Sequence, residues 1–403
     1  MPTVLFLGAS VSQLAAIGQA RAVGYRVVAV DGDPQAVGFA AADVAEEVDF
    51  TDLDRVVDVA RRHQVDAVVA VSTDRAVPAA AAIAERLGLP GIGTDTAHVM
   101  TNKAAMRERL QERSVPQPVF TVVSDDIEPA RALEAVGLPA VLKPADSGGQ
   151  RGVYKICRRG ELAEHLPETL TYSRSRRAIL ERFVEGRELN GIVVARDGDP
   201  VVLTLSDRLR PPGIGFGVGW IHLYPSQLDA ALRQTAETIA LSAVRALGLR
   251  NGIAFPQLLV SDTGEVLVVE VAARIPAGQM ADLVRLGIGV DLVEIALVQA
   301  LGGAVSDAMI EPRFDRPLAI RFLTASPGVL PTGRVLAIDG LERIRAAPGV
   351  LEAGLYLQIG ETIRPVQVDA DRRGYIITTA DTPLAALELA EHASQLLHVD
   401  VAG

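Results

Sequence analysis

Lys143 closes a short apolar run and is followed by a proline and a glycine-containing loop, in VLKPADSGGQRGV at residues 141–153. A small-residue loop beside a lysine suits phosphate, because backbone N–H groups and a compact point charge both reach its oxygens. The order is the reverse of a Walker A loop, where glycines come first and Lys-Ser/Thr opens a helix, so that fingerprint is absent. Ser147, Gly148, Gly149 and Gly152 provide a backbone free to change conformation. Of the 39 Lys and Arg residues only Lys103, Lys143 and Lys155 are lysines. In a chain that uses Arg almost everywhere for a cation, Lys103 and Lys143 are candidates for phosphate binding. Leftover surface lysines are the plainer reading, and the favoured one for Lys155.

A second group lies in GIAFPQLLVSDTGEVLVVEVAARIPAG, residues 252–278. If residues 261–264 turn the chain, Val260 pairs with Glu265 and Gln257 faces Val268, with Glu270 a diagonal neighbour on the same face. Ala272 and Arg274 continue along that face. A carboxylate inside VLVVEVAA is costly to bury unpaired and needs a partner. Gln257 and Glu270 offer oxygens of the kind Mg²⁺ takes, and Arg274 is placed to hold a phosphate or acyl oxygen. A plain Glu–Arg ion pair is the bland alternative.

Two further stretches carry candidates. AILERFVEGREL, residues 178–189, runs Glu181 into a turn at Gly186 with Glu188 after it; alone it reads as solvated charge around a turn. GIGFGVGWIHLYPSQL, residues 213–228, holds Phe216, Trp220, His222 and Tyr224, either an amino-acid pocket or ordinary packing. The first turn, GASVSQ, has Gly8 but lacks the second and third glycines of a dinucleotide fingerprint, so Asp31 reads as a strand end and not a ribose ligand.

These residues need elements to hold them. At 403 residues the chain predicts two to four structural units, with ample core material at 49% hydrophobic and 22% charged residues. The first 90 or so residues alternate strand and helix signals, which predicts a parallel sheet covered on both faces. GLPGIGTDT, residues 88–96, reads as a linker, and a helix follows from about Thr101 to Gln111. Beyond it, RDGDP and SDTGE look like hairpin turns of a mixed α+β unit with antiparallel strands. Apolar runs fall short of the roughly 18 residues a membrane span needs. MPTVLFLGAS reads as a first strand and not a signal peptide. Cys157 is the only cysteine, which fits a reducing cytoplasm, and a net charge of −11 disfavours nucleic acid.

Lys103, Lys143 with its glycine loop, ERFVEG and the Gln257/Glu270/Arg274 hairpin occur in that order, and together they resemble the ATP-grasp superfamily. The resemblance implies a Rossmann-like N-terminal domain, an ATP-grasp fold of two α+β subdomains and a small strand-rich C-terminal domain, with boundaries at 1–94, 95–180, 181–311 and 312–403. It implies ATP and Mg²⁺, with Mn²⁺ as a substitute. Lys103 and Lys143 match the phosphate lysines and residues 147–152 the lid. Glu181 matches the adenine acceptor, with backbone groups of Phe183 and Val184 on the base edge, and Glu188 the ribose acid. Gln257 and Glu270 match the metal ligands, and Arg274 with Lys143 the catalytic cations. The usual E-x-N-x-R has Ala272 in place of Asn, which leaves one metal contact to water or a neighbour.

EVAARIPAG, RPLAIRFLTASPGVL and the strand-rich tail resemble the L-amino-acid ligases, carboxylate–amine ligases that make dipeptides. The expected reaction is ADP-forming amide synthesis through an acyl phosphate, from small carboxylate and amine substrates, in a homodimer. Trp220, His222, Gly278 and Arg321 are the expected substrate pocket. The alternatives are a purine-biosynthesis-type ligase or carboxylase and a non-catalytic ATP-binding regulator. Biotin carboxylase is disfavoured, because IPAGQM lacks the acid that would act as base on bicarbonate.

Overall fold

The computed structural model describes residues 1–125, 129–148, 151–214 and 217–402. Gly149 and Phe216 lie outside the described residues. The N-terminal sheet is parallel, in the order Val44–Glu47, Arg26–Asp31, Thr3–Leu7, Ala67–Ala70. Alternation along Thr3–Leu7 splits its side chains between two cores. Val4 and Phe6 pack with Ile17 and Ala20 of the helix Val11–Ala22, while Leu5 and Leu7 pack with Val56 and Ile83 on the other face. The apolar runs read from the sequence are therefore strands covered on both sides.

Gly88 ends the helix Ala76–Leu87 in the left-handed conformation, and the next helix, Thr94–Thr101, begins inside the stretch expected to be linker. The helix expected from about Thr101 to Gln111 is Lys103–Glu112; Asn102, at an extended φ of −112°, breaks the chain between it and Thr94–Thr101 and caps it by accepting from Ala105 N. That break makes Lys103 the first residue of its helix.

The first grasp unit is an antiparallel sheet, ordered Phe120–Val123, Ala178–Arg182, Ala140–Pro144, Tyr154–Ile156. The second is built on an eight-stranded sheet that begins Val266–Ala272, Gly252–Ser261, Gly186–Arg196, Asp199–Leu209, Ile221–Tyr224 and continues through Leu318–Phe322, Gly374–Thr379 and Val350–Leu355. The C-terminal segment thus extends the grasp sheet with three strands and adds a small sheet of its own, Thr362–Ile363, Gly333–Asp339, His398–Ala402. The long helix Ala230–Leu247 packs on the grasp sheet with Met106 and Leu110 of Lys103–Glu112 in the same core. Among the described residues no helix is long and apolar enough to cross a membrane.

The hairpin register differs from the expected one by one residue at the turn and by two at Gln257. Val260 pairs with Val266 and not Glu265, because the turn is closed by Ser261 N donating to Glu265 O. A β-bulge then leaves Val269 without a partner on the neighbouring strand, so Gln257 faces Glu270 directly and not Val268. The bulge places two side-chain oxygens across from each other at the site.

Gly186 starts the central strand where a Cβ would stand 2.1 Å from the Val260 carbonyl oxygen. Gly186→Ala should lower stability by about 2 kcal/mol, since the backbone must shift to admit one methyl group. Urea unfolding with an unchanged midpoint would show that the strand accommodates it freely.

Candidate active site

Arg107 lies one helical turn after Lys103, on the same face of the helix, and is 1% exposed. Its Nε donates to Glu181 Oε1 at 2.5 Å, Nη1 to Val268 O at 2.8 Å and to Gln117 Oε1 at 3.2 Å, and Nη2 to Val269 O at 2.7 Å. The carbonyls flanking the bulge are satisfied by this guanidinium. Glu181 faces Val141 across the sheet, so Lys143 lies on the same face, and its Nζ meets Glu181 Oε2 at 2.8 Å. Burial alone would raise the Glu181 carboxyl, but Arg107 and Lys143 overcome it and hold the value at about 2. Lys143 shares Glu181 with Arg107, and burial, with Arg107 beside it, outweighs Glu181 and Glu270 and pushes it below the usual lysine value.

Lys103 is tied to the loop and to the hairpin together. Its N–H donates to Ala145 O at 2.6 Å, its Nζ to Ser147 O at 2.9 Å, and Nζ lies 3.2 Å from Glu270 Oε1. Burial works to lower Lys103, yet Glu270 and Asp74 outweigh it and raise the value. Arg274, past the strand end on the Glu270 face, gives Nε and Nη2 to the Asp74 carboxylate at 2.7 and 2.9 Å. The bland alternative, a plain Arg274–Glu270 ion pair, gives way to this bidentate pair with the N-terminal domain.

Lys103, Lys143, Glu181, Gln257, Glu270 and Arg274 all line one cavity of about 320 Å³. Ser147, Gly148, Phe183, Val184 and Glu188 line it too, so the edge of the expected lid and the residues expected at the base are brought to the same space. Gly152 sits apart against Tyr172 and Thr169. Phe183 N–H donates to Pro139 O at 2.9 Å, and its ring carries Lys155 Nζ at 3.7 Å from the centroid. Lys155 is thus packed on the base-side loop. Glu188 is bound by Arg208 Nη1 and by Arg210 Nε at 3.0 Å. A second cavity of about 330 Å³ behind Arg274 has mainly small apolar walls and neither lysine.

The far end of the site holds residues that spacing alone did not reveal. Asn190, paired with Gln257 on the next strand, donates to His222 Nδ1 at 3.2 Å. It stands beside the oxygen pair, where Ala272 offers none. His222 is buried against Phe322, and burial, Arg208 and Arg372 keep it neutral. Arg372, from the C-terminal segment, stacks on Phe322 and approaches Gly278, whose backbone has φ +75°. Trp220 does not line the cavity that Lys103 and Lys143 line and borders a neighbouring one with Glu188 and Arg208. Arg321 is corrected from a pocket residue to a structural one: it is 3% exposed, stacked on Trp220, and holds Glu391 at 2.7 Å.

The donor set fits a nucleotide with a hard cation. Among the described residues no group of three or more His, Cys, Asp or Glu is placed to hold a metal. Gln257 and Glu270 would leave most of a coordination shell to phosphate oxygens and water, which is how Mg²⁺ is commonly bound. Two buried lysines beside them supply the charge that phosphate oxygens require.

Two α+β units closing on a cavity with these lysines and this oxygen pair define an ATP-grasp protein. The chain belongs to that family: the pattern described as "Carbamoyl-phosphate synthase L chain, ATP binding domain" matches residues 101–307, more than half of the chain. "ATP-grasp N-terminal domain" matches residues 17–91 and "L-amino acid ligase C-terminal domain 2" residues 321–402. It is an ATP-grasp ligase, of the class that joins carbon to nitrogen with release of ADP. A formate-dependent phosphoribosylglycinamide formyltransferase of Ignicoccus hospitalis is 29% identical over 94% of this chain and 91% of its own length. An L-arginine-specific L-amino acid ligase of Bacillus subtilis is 23% identical over 72% and 70%. The crystal structure of an L-amino acid ligase from Bacillus licheniformis superposes with a TM-score of 0.84 at 22% identity, covering 100% of this chain and 99% of that one.

Because Glu181 has a folded value near 2 against an ordinary 4.5, its contribution to stability is complete above about pH 4.5 and is lost as pH falls toward 2. The melting temperature should drop across that window. Glu181→Gln should start lower, having left two buried cations short of charge, and fall less steeply there; parallel curves would contradict the linkage.

Proposed function

We propose that this chain is an ADP-forming carboxylate–amine ligase that condenses an amino acid with an amine through an acyl phosphate. The observation that carries the reading is the placement of Arg274. It lines the same cavity as Lys143 and Glu270, where a group moving from ATP to a carboxylate would meet both cations. The ligase-type C-terminal pattern at residues 321–402 supports an amino acid as the carboxylate partner.

Lys103 and Lys143 would neutralise the nucleotide phosphates, with Glu181 holding Lys143 in position. Residues 147–152 would close over them. Val184 and the Phe183 carbonyl would meet the base edge and Glu188 the ribose. Gln257 and Glu270 would hold Mg²⁺ or Mn²⁺, which when bound draws the phosphate oxygens together and offsets their charge. A carboxylate oxygen attacks the γ-phosphorus and ADP leaves; Arg274 and Lys143 stabilise charge on the transferring group. The amine nitrogen then attacks the acyl carbon, phosphate departs with the carboxylate oxygen, and the amine loses a proton. Positioning provides the catalysis, so no covalent enzyme intermediate is required. Trp220, His222 and Gly278 would border the amino acid, and His222 would meet it uncharged.

A purine-type ligase is the second reading, favoured by the relative from Ignicoccus hospitalis that matches nearly the whole chain. Both readings share the nucleotide chemistry and differ in the acceptor.

Screening amino acids for ATP-dependent phosphate release should find at least one active pair, while phosphoribosyl amines should give none; the opposite result would favour the second reading. With ¹⁸O in the substrate carboxylate, label should appear in free phosphate, and label in AMP would exclude the acyl-phosphate route. Glu270→Gln should abolish turnover at ordinary Mg²⁺ while leaving the melting temperature close to that of the wild type.

A further inference from the structure

The N-terminal domain contributes one charged side chain to the centre of the site. Asp74 is 200 residues from Arg274 in sequence, yet its two carboxylate oxygens take Arg274 Nε and Nη2, one complete edge of the guanidinium. A guanidinium gripped along one edge cannot turn about its last bonds, so the direction of its remaining N–H groups is set by the carboxylate. Nη1 is left with the Ile275 carbonyl at 3.5 Å, a long contact.

Asp74 is itself held from several directions. Val71 forms a parallel bridge to Ile275, and Ser72, at a left-handed φ of 64°, donates its N–H to Ile275 O at 3.0 Å. These bonds stitch the end of the N-terminal sheet to the segment that carries Arg274. The Asp74 carbonyl accepts from Val77 N at 3.3 Å in the first turn of Ala76–Leu87. Its Oδ2 also faces the loop: a Cβ on Gly148 would stand 3.7 Å away. Burial opposes the charge on Asp74, but Arg274 and Lys103 keep its carboxyl below the ordinary value.

We propose that Asp74 is a positioning residue for phosphoryl transfer, aiming Arg274 at the migrating group from the N-terminal domain. This rests on the ligase reading, in which Arg274 meets that group. It makes the N-terminal domain part of the catalytic unit as well as a scaffold, because the arginine is oriented only while the two sheet ends stay joined.

The test compares wild type with Asp74→Ala, Asp74→Asn, Arg274→Ala and the double alanine variant. In amino-acid-dependent phosphate release, Asp74→Ala should lower kcat about 100-fold, the scale of a misplaced catalytic group, with the KM for ATP held within about twofold. Asp74→Asn, which keeps one acceptor oxygen, should retain more activity than Asp74→Ala. The double variant should be no slower than Arg274→Ala, because two residues acting as one unit are not additive. Losses that multiply, or a rise confined to the KM of the amino acid, would make Asp74 an independent substrate ligand and overturn the proposal. A second arm needs no turnover: titration of the Mg²⁺–ADP form with vanadate, a mimic of the transferring phosphoryl group. Asp74→Ala and Arg274→Ala should weaken vanadate binding alike and leave Mg²⁺–ADP affinity unchanged, whereas wild-type vanadate affinity in Asp74→Ala would overturn the role. If the wild type releases no phosphate with any amino acid, the ligase reading fails and the vanadate arm still decides Asp74. If Asp74→Ala does not fold, the near-isosteric Asp74→Asn carries both measurements, with a smaller loss expected in each.

Discussion

A guanidinium taken out of water must find an acceptor for its N–H groups, and Arg107 meets that demand with groups from three parts of the chain, Gln117, Glu181 and the Val268 and Val269 carbonyls. Its helix begins at Lys103, its carboxylate partner lies on Ala178–Arg182, and its carbonyl partners flank the bulge in Val266–Ala272. Once those bonds form, Lys103 and Lys143, the strand end at Phe183 and the Gln257/Glu270 hairpin share one frame. Loss of Glu181 would leave two buried cations without the carboxylate they share, which costs about 3 to 5 kcal/mol in comparable cases.

The charge pattern around this frame explains why two of three lysines are here. Arg107 and Lys143 compete for Glu181, and Lys103 is drawn to Glu270 and Asp74. A flexible ammonium can exchange a carboxylate for a phosphate oxygen by a small movement, whereas the buried arginines are fixed by several bonds. Arg107 and Arg274 hold geometry, and Lys103 and Lys143 keep fewer fixed partners.

The sheets continue across the expected domain limits, with consequences for the site. The core that begins with Val4 and Phe6 runs on to Phe255, Leu283 and Ile320, so the N-terminal domain and the grasp sheet share buried apolar surface. Strands after residue 312 extend the same sheet, and their continuation brings Arg372 beside His222 and Gly278. Both ends of the chain are thereby held against the cavity by apolar burial, which is indifferent to sequence distance.

Periodicity and local chemistry were enough to determine the parallel N-terminal sheet, the antiparallel grasp unit, and the candidacy of Lys103, Lys143, Gln257, Glu270 and Arg274. An apolar alternation, a glycine loop or a carboxylate within a valine run is a short-range signal. The hairpin register was not legible, because a bulge depends on which carbonyls a distant arginine satisfies. Asp74, Arg107 and Arg372 carried no local mark that separates them from the many other charged residues; only folding decided which carboxylate meets which guanidinium. The reason is physical: an ion pair gains its strength from exclusion of water, and which residues lose their water is settled by the packing of elements hundreds of residues apart.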